Sequence, residues 1–209
     1  MEWIEVYKEF ITMRNDLQHC PSEMIIGKSE IERKYFIQQE IKAVLKHTDD
    51  YVMMIDSTGE YHEFCFNMLR EYGDYRLSMV DFSKYPREIT SKILDDVFTT
   101  IYSCQWSNHH KSRIWAFIDN ADDFDFETIN SISRGSRPHG VIPTFALEAD
   151  CLTDNIHSLL IWCKSVIVTS CNENRITDDI LRLLFQDKKT NIENYRNMWV
   201  IDGSVRNLI

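Results

Sequence analysis

The residues with the most specific chemistry to offer are Gly27-Lys28-Ser29, within EMIIGKSEIERKYF at positions 23–36. Gly-Lys-Ser closes the nucleotide-binding loop G-x-x-x-x-G-K-[ST]. In that loop backbone N–H groups cradle phosphates, the Lys reaches the terminal phosphates and the hydroxyl binds Mg²⁺. The chemistry needs a strand before the loop and a helix after it. With Lys28 and Ser29 in the motif's own places, the loop begins at Ser22. The preceding Asp16-Leu17-Gln18-His19-Cys20-Pro21 makes a poor strand, and the strand-like Met24-Ile25-Ile26 falls inside the loop. Bulky β-branched residues resist the dihedrals of a phosphate nest. This register fails on structure.

A second register starts one strand later. Met24-Ile25-Ile26 is the strand, Gly27 to Lys34 the eight loop positions, and a helix follows from about Tyr35 to His47. The architecture fits and the chemistry does not. Glu32 replaces the second glycine, Arg33 the lysine, and Lys34 the Mg²⁺-binding hydroxyl. A loop without its second glycine is expected to relax. The helix then starts early, with Ser29 as N-cap and Glu32 at its third position. Glu30 and Glu32 are expected to neutralise Lys28, Arg33 and Lys34, and side chains to close the cavity above the loop.

Other groups offer less. Asp119, Asp122, Asp123 and Asp125 suit a divalent cation, or one strand-end Asp followed by a solvated acidic loop. His109-His110 lack a carboxylate or Cys partner at metal-binding spacing. No Ser-His-Asp arrangement or G-x-S-x-G elbow occurs. The six cysteines form no C-x-x-C pair and read as reduced thiols of a cytoplasmic protein. No metal site is expected.

The elements that must position these groups alternate. Trp3, Ile4, Tyr7, Phe10, Ile11 and Leu17 give a helix over residues 1–20. The unalternating apolar runs YVMMID, RIWAFID, GVIPTFAL, SVIVTS and MWVID suit strands covered on both faces. Residues 75–80 form another candidate strand. Residues 62–72 and a stripe from Ile89 to Ile101 read as helices, and further helices are expected behind Thr153 and Thr177. Strands alternating with helices imply an α/β fold with a mainly parallel sheet, in one domain spanning residues 1–209.

Composition agrees with a globular domain: 44% of the 209 residues are hydrophobic. The net charge of -10 lacks the basic footprint of non-specific nucleic-acid binding. No apolar run reaches the roughly 18 residues of a membrane helix, so no membrane insertion is expected. The first 20 residues lack the apolar core of a secretory signal.

From Glu23 to Tyr61 the sequence resembles the ATPase-domain opening of type IV secretion and conjugative-transfer ATPases. The matching pieces are Glu40-Ile41, Thr48-Asp49-Asp50 and Asp56-Ser57-Thr58-Gly59-Glu60-Tyr61. They select the second register. RIWAFIDNADDF is similar to the family's second nucleotide motif. Asp119 matches its Mg²⁺-holding Asp, and Asn120 replaces the Glu that activates water. In GVIPTFALEADCL, Pro143 and Thr144 match and Glu148 replaces the sensor Gln. Arg134 and Arg137 fall where the family has a basic stretch near a neighbour's nucleotide. SVIVTS and MWVIDG resemble later strands.

The resemblance implies a three-layer RecA-like P-loop NTPase fold, with residues 62–110 as a shortened helical insertion. Gly27, Arg33, Lys34 and Asp119 then mark a vestigial nucleotide site. The substitutions imply a non-catalytic relative that binds protein, either an active ATPase or another transfer component. A different reading keeps ATP and magnesium, with Arg33 or Lys28 supplying positive charge, Asp119 the metal and Asp122 or Asp123 the base.

Overall fold

The computed structural model describes residues 22–72, 75–107, 112–149, 159, 162–169 and 197–200. The expected helices over residues 1–20 and behind Thr153 and Thr177 lie outside these, as do His109-His110.

Strand β1 (Ser22–Gly27) leads to helix α1 (Glu30–His47), then β2 (Tyr51–Asp56), α2 (His62–Tyr72), β3 (Leu77–Asp81) and α3 (Arg87–Ser107). After these come β4 (Ile114–Ile118), α4 (Phe126–Gly135), β5 (Val141–Glu148), β6 (Cys163–Val168) and β7 (Asn197–Val200). The seven strands form one sheet in the order β3-β2-β4-β5-β1-β6-β7. Every neighbouring pair is parallel.

The apolar runs explain the layering. Along β1, Met24 and Ile26 face one core with Leu94 and Phe98 of α3 and Ile129 and Ile132 of α4. Ile25 faces a second core with Ile37, Ile41 and Val44 of α1 and Cys65 and Met68 of α2. Both sheet faces are covered, giving a three-layer α/β sandwich of the expected class.

Residues 62–110, implied as a helical insertion, contain α2, β3 and α3. β3 is hydrogen-bonded beside β2, and its flanking helices cover opposite faces. The described residues of this segment are therefore part of the sandwich itself.

Helix α1 starts at Glu30, more than a turn before Tyr35. Ser29 is its N-cap, in extended conformation, and its Oγ accepts the Glu32 N–H at 3.4 Å. Glu30 and Glu32 sit in the first turn, where acidic groups suit the helix dipole. At the far end the Arg76 guanidinium donates to Leu45 O and Thr48 O, satisfying carbonyls the helix leaves open.

Candidate functional site

The C-terminal ends of parallel strands form the usual ligand crevice of such sheets. Here they bring together Gly27 of β1, Asp56 of β2, Asp119 after β4, Glu148 of β5 and Thr169 after β6. β5 lies between the strand carrying Gly27 and the one leading to Asp119.

Gly27 is fully enclosed. A Cβ there would fall 1.7 Å from Thr169 Oγ1. Its carbonyl accepts Arg33 Nη1 at 2.6 Å, and Arg33 Nη2 donates to Asn120 Oδ1 at 2.9 Å. Arg33 is only 3% exposed. Its side chain folds back from α1 over the end of β1 and bridges to Asn120 after β4. A buried guanidinium needs such partners.

Asp119 is fully buried at the end of β4, its N–H bonded to Ile55 O. Burial raises its carboxyl to about 6, against the opposing pull of the Arg33 and Lys34 charges. The Tyr61 hydroxyl interacts with this carboxylate, without hydrogen-bond geometry of standard form. Burial and then Asp119 push the Tyr61 phenol far above its ordinary value. Asn120 adopts a left-handed backbone, φ 46° and ψ 55°, which Asn tolerates better than most residues.

Lys34 sits at the edge of this cluster. Its Nζ pairs with Glu30 at 2.8 Å and with Glu60 from the turn after β2. That turn is organised by Asp56, whose carboxylate accepts the N–H groups of Thr58 at 3.0 Å, Gly59 at 2.8 Å and Tyr61 at 2.9 Å. Gly59 has φ +82° and lies against Ser83, a place only glycine fills without strain.

The structure thus unites Gly27, Arg33, Lys34 and Asp119. It also corrects how the cations are neutralised. Glu30 does pair with Lys34, but Arg33 is held by Gly27 O, Asn120 and the charge of Asp119. Sequence reasoning missed Glu60, Tyr61 and Thr169 as members of the site. Glu60 and Tyr61 had a signal in the D-x-x-x-E-Y spacing; Thr169 had none.

The acidic loop is tied down rather than simply solvated. Asp122 Oδ1 accepts the Glu148 N–H at 3.2 Å, and Asp123 pairs with Arg87 at 2.7 Å. The Asp125 N–H donates to Ser91 Oγ. Among the described residues, no group of three or more His, Cys, Asp or Glu is arranged to hold a metal. Arg134 and Arg137 lie before the N-terminal end of β5, at the opposite edge of the sheet from Asp119.

The loop departs from the pattern that holds ATP with Mg²⁺. The helix starts at Glu30, the fourth of the eight loop positions, and Glu32 stands in place of the second glycine. Arg33 turns to Gly27 O and Asn120, and Lys34 stands at the motif position of the hydroxyl.

No known family profile and no curated protein matches the sequence. Solved structures do. The cytoplasmic domain of the Thermomonospora curvata type VII secretion ATPase EccC superposes with a TM-score of 0.56 at 13% identity, over 75% of this chain. B204, the DNA-packaging ATPase of Sulfolobus turreted icosahedral virus, gives 0.52 at 18% identity, over 78% of this chain and 82% of its own. The fold is shared with these ATPase domains. At these identities the likeness concerns fold alone, and the chain spans only 22% of the EccC structure.

Proposed function

We propose that this chain is a non-catalytic P-loop ATPase-fold domain that acts through contact with another protein. The observation that carries the reading is Arg33, buried and bonded to Gly27 O and Asn120 Oδ1 across the loop that would have to cradle a nucleotide's phosphates. Asn120 adds to it, because an amide cannot serve as a carboxylate base.

The sequence resemblance supports descent from a conjugative-transfer ATPase, a cytoplasmic location and a partner that is a catalytic relative or another transfer component. None of the helices among the described residues is long and apolar enough to cross a membrane. The reading with substitute residues needs Asp122 or Asp123 as base, and both already hold structural partners.

Thermal unfolding with and without ATP and Mg²⁺ tests the proposal. A ligand at 100 times its dissociation constant stabilises by about 2.7 kcal/mol. No shift in midpoint is expected. A saturable shift would overturn the reading.

A further inference from the structure

β3 is the last strand at its end of the sheet, with no strand beyond it among the described residues. Along a strand the main-chain groups of successive residues turn to alternate sides. Arg76 O and Phe82 N both reach β2, so Leu77, Met79 and Asp81 turn their N–H and C=O groups outward. Sheet edges are ordinarily blunted by lysine, proline or a bulge. β3 reads LSMVD and follows β2 in unbroken register, so it has none of these.

Apolar side chains overhang this edge on both faces. On α2, Phe64 lies under Lys42 of α1, whereas His62 bonds Asp81 of β3 at 2.9 Å. Phe66 and Leu69, one and two turns after His62, share its flank and are 60% and 40% exposed. On α3, Ser91 accepts the Asp125 N–H at the start of α4. The flank turned away from α4 carries Ile93 and Ile89, the latter 44% exposed.

We propose that this edge docks a second copy of the chain, with β3 pairing antiparallel to its counterpart about a two-fold axis at Met79. A two-fold interface must be self-complementary. The outward groups of Leu77, Met79 and Asp81 then meet those of Asp81, Met79 and Leu77 in the other copy. The same axis runs α2 antiparallel to its counterpart and sets Phe66 against Phe66. Glu63 and Arg70, both exposed, stand on either side of Phe66 along α2. Each Glu63 therefore faces Arg70 of the other copy. Exposed ion pairs add little affinity, so Phe66, Leu69 and Ile89 supply it and the charges fix the register. The proposal does not depend on how the site around Arg33 is read.

Sedimentation velocity over a range of concentrations tests it on the full chain. The unchanged chain is expected to dimerise reversibly. Phe66→Lys and Leu69→Lys, at exposed positions, each weaken association at least about tenfold while leaving the circular dichroism unchanged. Glu63→Arg and Arg70→Glu each weaken it as well. Mixing those two variants, or combining both changes in one chain, restores it, because opposite charges again face each other. A monomer at every concentration would overturn the proposal and leave the edge to an extended segment of another protein. A dimer that Phe66→Lys leaves intact, or charge variants that mixing does not rescue, would overturn it too.

Discussion

The loop after β1 and the turn after β2 lie side by side at the C-terminal edge of the sheet, yet their residues do opposite things. In the turn, the residues that carry the sequence resemblance each hold structure. Asp56 accepts three backbone N–H groups, Gly59 supplies a positive φ, and Tyr61 is fully buried. Asp50 likewise accepts Arg113 N–H and Trp115 Nε1. In the loop, the residues that differ are the ones a nucleotide would touch. Glu32 is in the first turn of α1, Arg33 is folded inward and Lys34 is paired with carboxylates. On the proposed reading, the scaffold's requirements persist where backbone groups must be satisfied, and the ligand's requirements do not.

Breaking the turn should cost most. Asp56→Ala leaves three backbone N–H groups, one of them on the buried Tyr61, without their charged acceptor, and a loss of about 4 kcal/mol is expected in urea unfolding. A loss below about 1 kcal/mol would show that water replaces the carboxylate readily and that the turn is not the rigid partner in the comparison.

The loop end of β1 should respond to volume. Gly27→Ala places a methyl against Thr169 Oγ1, and overpacking of this kind costs about 2 kcal/mol. Combining it with Thr169→Ala should recover part of that loss. Additive losses in the double variant would mean the two side chains do not meet.

A pH-dependent effect concerns protons. Asp119 has its carboxyl raised from 3.8 to about 6 by burial, so the folded state binds this proton more tightly than the unfolded one. Its contribution to stability is full below about pH 4 and is lost as pH rises through about 6. The stability of the unchanged chain relative to Asp119→Asn should therefore fall across that window, by on the order of 3 kcal/mol. A difference that rises instead would mean Arg33 outweighs burial.

The sheet was largely legible because apolar runs such as YVMMID and RIWAFI became β2 and β4. The Ser29 cap was legible because its chemistry is local. The site's interior was not. A basic residue in the first turn of a helix ordinarily faces water, and no spacing in the sequence says that Arg33 turns inward to Asn120, 87 positions away. The pairing of Asp123 with Arg87 and of Asp122 with the Glu148 N–H is tertiary in the same sense. Periodicity reports which face is buried, not which polar atoms meet across strands.

The central claim is that the chain fills its own phosphate site. Crystallisation with a non-hydrolysable ATP analogue and Mg²⁺ tests it most directly. The account predicts Arg33 bonded to Gly27 O and Asn120, with no ordered phosphates above residues 27–34. Phosphates cradled by the N–H groups of residues 28–34, with Arg33 displaced, would contradict it.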